Sequence, residues 1–292
     1  MIRKAPQPDL VDLHVHSTAS DGVYSPGDVV RRAAEVGLAA IALTDHDTVA
    51  GVAEALAAGE ACGVEVIPAA EISTEFDDGA CHILAYFIDC GDAPLGAVLR
   101  EARDGRAARN EKILQRLGAL GLALTMDEVA GGVAGGTVTR ANLAGAMIRK
   151  GYVKTWAEAF EKYLGRGKPA FVPRRHVMPE AALAAIHGAG GLAALAHPRQ
   201  LNRGAAETEE WIERLAAAGL DAVETASPDH TANYARRYRA CAERLGLLET
   251  GGSDWHGRDE SGLHLGLGRG SMLVHYERVQ KMKDRLAARE KK

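Results

Sequence analysis

Short apolar runs alternate along the chain with amphipathic stretches and polar tips. The run at 10–15 ends in His-x-His and reads as a buried strand. Pro26 opens the stretch PGDVVRRAAEVG, with proline at an early helix position and Gly37 at its end, the usual asymmetry of helix start and stop. A second run, 39–43, stops at Thr-Asp-His, and alanine-rich helical sequence leads to a third, 64–70, which stops at Glu71. A fourth, 82–88, begins at His82. Beyond 95 the pattern changes: charges fall at helical spacing over 99–120, and two more helical segments follow to Leu164. Residues 96–172 are therefore expected to form a mostly helical insertion between two α/β portions, 1–95 and 173–292.

The alternation resumes with a helix at 180–189, a strand at 192–196 ending in His197-Pro198, and a helix at 209–218. A strand at 222–225, a helix to Leu245 and a strand at 247–250 follow, the last leading to Asp254-x-His256. Such alternation predicts parallel strands with crossover helices, an α/β barrel or an open sheet.

Composition narrows the function. The 292 residues carry 39 acidic and 35 basic side chains, a formal charge of −4, so no global basic field holds nucleic acid by backbone charge alone. No apolar stretch reaches membrane-spanning length, and the first residues lack a signal-peptide core, so a cytoplasmic location and no membrane partner are expected. Cys62, Cys81, Cys90 and Cys241 show no Cys-x-x-Cys spacing, against a zinc ribbon or a disulfide framework.

The polar tips carry the chemistry. His14 and His16, two apart on an extended segment, point to one face; Asp21, His46, Glu71, His82, His197, Asp254 and His256 stand at other strand ends. In a β/α barrel that end is where catalytic groups converge. Each element alone is commonplace, for Ser-Asp-Gly is a turn sequence and a lone histidine is usually a packed one. Together, nine imidazoles and carboxylates would put several buried charges side by side at several kcal/mol each, roughly, unless divalent ions neutralise them.

The segments DLHVHSTASDG, ALTDHDT, IPAAEIS, HILAYFID, LAHP and GGSDWHG, in that order, resemble the PHP (polymerase and histidinol phosphatase) family, in particular its stand-alone bacterial phosphoesterases. TRANLAGAMIRKGYV, AFEKYLGRGKPAFVP and 224–230 are similar to the subgroup acting on nucleotide phosphates. The resemblance implies a distorted (β/α)7 barrel, the PHP fold, holding three divalent ions. One would sit on His14, His16, Glu71 and Asp254, a second on Glu71, His82 and His197, a third on Asp21, His46 and His256. Manganese is the expected metal, with zinc or iron as alternatives; aspartate at 21, where other members carry histidine, makes the third site more oxygen-rich. The chain departs from the subgroup at Asn142, where histidine is expected, and at Trp255, where phenylalanine is usual.

Three ions bring six positive charges and three carboxylates remove three, leaving about +3 to draw in a phosphate. Asp12 and Asp45 flank the ligands and are expected to orient imidazoles, Asp45 being counted with the catalytic groups. Arg140, Lys168, Arg175 and Arg199 are candidates for the other phosphate oxygens, and His230 for protonating the leaving oxygen. His176, His187, His264 and His275 have no such context.

The implied activity is removal of the 3'-phosphate from a nucleoside 3',5'-bisphosphate such as pAp, with a small nucleotide as partner and no obligate protein partner. The alternatives are a 5'-3' exoribonuclease on short 5'-phosphorylated RNA, a histidinol-phosphate phosphatase, which the insertion disfavours, and a non-enzymatic PHP module, which nine intact ligand positions disfavour.

Overall fold

The computed structural model describes residues 9–76, 79–131, 133, 136–174, 177–258, 262–270 and 272–289. Among them, seven strands form one sheet: β1 (Val11–Val15), β2 (Ala40–Leu43), β3 (Glu65–Phe76), β4 (Gly79–Tyr86), β5 (Leu192–Leu195), β6 (Ala222–Ala226) and β7 (Leu248–Gly251). Their order in space is their order in sequence. Beyond β7 the chain turns back to β1: the His16 N–H donates to the Trp255 carbonyl at 2.9 Å, and Val15 and Trp255 form a parallel bridge. The sheet is a distorted, nearly closed barrel. Gly252 permits that approach, since a Cβ there would collide with His14.

The all-parallel expectation is corrected at one strand. β4 pairs antiparallel with both β3 and β5, while the β1–β2–β3 and β5–β6–β7 pairs are parallel. Two residues separate β3 from β4, too few for a crossover helix, so the chain can only return as a hairpin. The reversal puts the start of β4, with His82, at the end of the barrel where the parallel strands finish. β3 also runs past Glu71 instead of stopping there, with Ser73 opposite His82.

Local sequence explains the helices. In α1 (Pro26–Val36), Ser25 accepts from the Asp28 N–H and Gly37 closes the helix in the left-handed region at φ 81°. Helix α2 (Val52–Cys62) returns the chain to β3. The 27-residue α3 (Ala93–Ala119) starts on an Asp92 cap, so the boundary expected at 96 lies in its first turn. Leu95, Leu99 and Ala102 pack with the barrel, whereas Ile113 and Leu117 join a separate apolar cluster with Leu143, Met147, Leu164 and Val172. Between those two packed stretches the buried face of α3 carries Arg106, Arg109 and Asn110.

The second cluster is completed by α4 (Met126–Ala130), α5 (Arg140–Arg149), α6 (Trp156–Ala159) and a π-helical turn, Phe160–Leu164. Helices α7 (Pro179–Gly188), α8 (Ala205–Ala217) and α9 (Ala232–Leu245) cover the rest of the sheet. A terminal helix, α10 (Glu277–Arg289), is absent from the sequence reading; its Val279 and Met282 pack with alternate residues of the strands, Val11, Leu13, Ala40 and Ala42 among them. No described helix is long and apolar enough to cross a membrane.

Candidate metal centre and substrate cavity

All nine predicted donors converge at the strand-end face. Glu71 is their hub. Its Oε1 lies 2.8 Å from His82 Nδ1, 2.9 Å from His197 Nε2 and 3.5 Å from His14 Nε2, and its Oε2 lies 2.8 Å from His46 Nδ1 and 3.5 Å from His16 Nε2. Asp254 Oδ1 is 3.1 Å from His16 Nε2 and 3.5 Å from His14 Nε2, while Asp21 Oδ1 is 3.2 Å from His256 Nε2. The donors group as His14, His16 and Asp254; as Glu71 with His14 and His197; as Glu71 with His46 and His82; and as Asp21, His46 and His256 with His16. Against the three expected sets, His14, His16 and His46 each reach a second group. Two ligands sit in strained backbone, His197 at φ 24° and Asp254 at φ 53°, a strain that clusters at functional sites.

The cluster fits divalent ions by a direct criterion. His14 Nε2, both ring nitrogens of His16, His46 Nδ1 and Glu71 Oε2 are buried without a hydrogen-bond partner, the 2.8 Å approach of His46 to Glu71 being at an unsuitable angle. Imidazole nitrogens and carboxylate oxygens orphaned together are what a metal satisfies. Burial, with His256 and His46 beside it, pushes the His16 imidazole down to about 3; burial takes His82 to about 4, so both rings present lone pairs at neutral pH. Burial acts in the same sense on His14, but Asp254, Glu71 and Glu224 more than reverse it. A metal must displace that proton.

Two assignments are corrected. Asp45 accepts the Ser17 N–H at 2.8 Å, the Ser17 hydroxyl at 2.6 Å and the Ser20 hydroxyl at 2.5 Å. Asp12 accepts from Ser253 N–H and hydroxyl, Gly266 N–H and His14 N–H. Neither bonds an imidazole; both hold the loops that carry ligands. A carboxylate outside the nine donors that does meet one of their imidazoles is Glu224 on β6, whose Oε1 lies 3.2 Å from His14 Nδ1.

A cavity of about 510 Å³ adjoins the cluster. His82 and His197 line one end, and Arg109, Arg140, Arg166, Arg174 and Arg203 contribute to its wall. Burial and the neighbouring Arg106 bring the Arg174 guanidinium down to about 9, still charged at neutral pH; burial and three arginines act likewise on Arg109. Asp47 is the carboxylate in reach, 2.6 Å from Arg106 Nε and 3.8 Å from Arg174 Nη1. Such a cation cluster is built for an anion.

Of the predicted phosphate ligands, Arg140 lines this cavity. Lys168 is exposed and outside the lining, its place on the 165–174 segment taken by Arg166 and Arg174. Arg199 lies over the Tyr234 ring, also outside the lining, and Arg175 falls outside the described residues, as does His176. His230 Nδ1 faces the Thr225 carbonyl at 3.2 Å, and burial lowers its pKa. Nδ1 facing a carbonyl donates its hydrogen, which leaves Nε2 an acceptor in the neutral ring. Arg106 and Arg109 escaped the sequence reading although they replace apolar residues in the Leu95, Leu99, Ala102 helical series.

The 137–142 segment clamps the Asp21 loop. The Thr139 hydroxyl donates to Asp21 Oδ2 at 2.9 Å, Thr137 N–H to Ala19 O at 2.9 Å, and Asn142 Nδ2 to Ser20 O at 3.2 Å. Asn142 also completes the α5 capping box with Thr139, so its departure from the subgroup falls on this clamp and not on a cavity wall. Trp255 stacks on Tyr24 at 5.4 Å, a packing role.

This centre and fold define a metal-dependent phosphoesterase. The PHP domain family profile matches residues 12–163, and the chain belongs to that family. It is 37% identical to a 5'-3' exoribonuclease of Haemophilus influenzae, over 84% of this chain and 89% of that one. It is 35% identical to a 3',5'-nucleoside bisphosphate phosphatase of Chromobacterium violaceum, over 88% and 90%. A metal-dependent phosphoesterase structure from Bifidobacterium adolescentis superposes with a TM-score of 0.85 at 29% identity, over 96% and 98%.

Proposed function

We propose that the enzyme removes the 3'-phosphate of nucleoside 3',5'-bisphosphates such as pAp, releasing the 5'-mononucleotide. The observation that carries this reading is the cavity with ligand imidazoles at one end and buried arginines in its wall. We assign three ions to the nine donors, manganese favoured by the oxygen-rich Asp21 set. Bound there, they supply a nucleophile at neutral pH and offset charge developing on the phosphate.

The chain's own residues do the rest. Glu71 and the imidazoles around it fix the scissile phosphate's end of the cavity. Arg109, Arg140 and Arg174 hold the 5'-phosphate, which is not cleaved, and so orient O3' toward the metal end. Binding energy from that remote group is used to position the ester, so a substrate without it loses turnover as well as affinity.

Exoribonuclease action is the second reading, favoured because the bond is the same. Water adds to phosphorus and the P–O3' bond breaks, whether phosphorus carries only oxygens or the rest of an RNA chain; the leaving nucleoside keeps its 5'-phosphate in both. The volume of about 510 Å³ lies in the range that encloses a single small ligand, which supports one nucleotide as the occupant over an extended strand.

The test ranks kcat/KM of the manganese-loaded enzyme on pAp, 3'-AMP, a 5'-phosphorylated oligoribonucleotide and histidinol phosphate. Loss of the 5'-phosphate should cost about 30-fold or more, from charge-assisted hydrogen bonds of about 1.5–3 kcal/mol each. Equal constants for pAp and 3'-AMP refute the second subsite, and a higher constant for the oligoribonucleotide selects the nuclease.

A further inference from the structure

Glu224 is fully buried on β6 and stands outside the nine donors. Its two oxygens are divided between two different ligands. Oε1 lies 3.2 Å from His14 Nδ1, and Oε2 accepts the His197 backbone N–H at 2.5 Å. His14 arrives from β1 and His197 from the turn after β5, so one carboxylate ties together ligands from opposite parts of the barrel.

Each contact answers a need visible in the geometry. His14 presents Nε2 toward Glu71 Oε1 and Asp254 Oδ1, both at 3.5 Å, and can offer a lone pair there only if the ring hydrogen is on Nδ1. A carboxylate facing Nδ1 fixes that tautomer. His197 sits at φ 24° and ψ 61°, a conformation that costs about 1–3 kcal/mol in a non-glycine residue and persists only where it is held. A charge-assisted bond to its N–H holds it, with Nε2 2.9 Å from Glu71.

We infer that Glu224 is a positioning residue shared by two metal ligands, setting the tautomer of His14 and the backbone of His197 at once. This rests on the reading of the nine donors as metal ligands. Glu224 is not itself among the residues lining the cavity, so its effect reaches the reaction through the ligands it holds.

Glu224→Gln tests it with little change of volume. The amide has one acceptor oxygen and one NH2 group, so one of the two donors must face an NH2. Metal-free protein titrated with manganese by calorimetry should bind about 10–100-fold more weakly than wild type, with an unchanged circular dichroism spectrum. Excess manganese should restore most of the turnover, and the gain in melting temperature on adding manganese should shrink. Glu224→Asp, which keeps both acceptors on a shorter arm, should fall between the two. Wild-type manganese affinity in Glu224→Gln overturns the inference, as do equal melting losses with and without manganese at unchanged affinity. Glu71→Ala and His82→Ala run beside it: if they too bind manganese like wild type, the ligand reading itself has failed and takes the inference with it.

Discussion

At the metal end of the cavity, anionic and neutral donors crowd together; along its wall, guanidinium groups do. At the first, Glu71 alone lies within 3.5 Å of five imidazoles, and apart from Glu71, which sits inside β3, the donors come from near strand ends or the loops beyond them. At the second, Arg109 comes from the middle of α3, Arg140 from the start of α5 and Arg174 from the segment after the π-helical turn. The metal end is organised to take up cations, the wall an anion, and a bisphosphate with ions bound to one phosphate satisfies both. Rigid strands place metal donors; long side chains on helices suffice where only charge has to be delivered.

The sharpest way to break the comparison is to remove the hub of the metal end. Glu71→Ala should cut kcat/KM by about 1,000-fold or more and lower manganese content, because the one carboxylate shared among the groups is gone. His46→Ala, which removes a single imidazole and leaves the shared carboxylate in place, should be milder. Elemental analysis beside steady-state kinetics checks both, and near-normal metal content in Glu71→Ala refutes its role.

Next in size is the anchor of the arginine wall. Asp47 is buried, and although burial alone would raise its pKa, Arg106 and Arg174 bring it to about 2 from 3.8. Asp47→Asn should destabilise the fold by about 3 kcal/mol near neutral pH, since it leaves buried guanidinium groups facing an amide. The folded pKa is the lower one, so the ionised aspartate's extra contribution, about 2 kcal/mol, is present above pH 4 and fades as pH falls toward 2. Denaturant unfolding at pH 6, 4 and 3 should show the gap between wild type and variant narrowing with acidity. A gap that stays constant or widens contradicts the pairing.

A smaller, more selective change removes charge from the wall without touching its anchor. Arg109 donates to the neighbouring Asn110 side chain, and burial among arginines pulls its pKa well below the ordinary value, a cost that a bound phosphate relieves. Arg109→Met should lower kcat/KM on pAp about 30-fold, roughly 2 kcal/mol, and leave 3'-AMP within a few-fold. Equal losses on the two substrates would assign Arg109 to general folding instead of the second phosphate.

The same contrast decides what the chain discloses before it is folded. Metal donors were legible because a strand end is a local feature: His-x-His, Thr-Asp-His and Asp-x-His each mark one, and all nine donors converge. The seven strands were legible for the same reason, through their apolar runs. The reversal of β4 was not, because a hairpin closed by two residues resembles any other break between apolar runs. The arginine wall brings together residues 109, 140 and 174, which no local pattern links. Lys168 and Arg199 drew notice as basic residues beside family-like segments, yet their side chains leave the cavity. Glu224 opens the family-like segment 224–230, yet within the apolar strand AVETA only its charge amid residues that should be buried hinted at a role of its own.

The finest test concerns the joint between the two regions. Thr139 donates its hydroxyl to Asp21 Oδ2 at 2.9 Å while accepting the Ala141 N–H at 3.0 Å, and the next residue, Arg140, reaches the cavity. One residue of the insertion therefore touches the metal end and its neighbour touches the wall. Thr139→Val keeps the shape but removes both polar contacts, so it should cost about 1 kcal/mol of stability from the lost cap and weaken manganese binding by a few-fold at the Asp21 set. Thr139→Ser retains a hydroxyl and should recover most of both. If Thr139→Val loses stability but binds manganese like wild type, the hydroxyl is a helix cap alone and the insertion meets the metal end only through packing; a loss of metal affinity that serine rescues makes the insertion part of the centre itself.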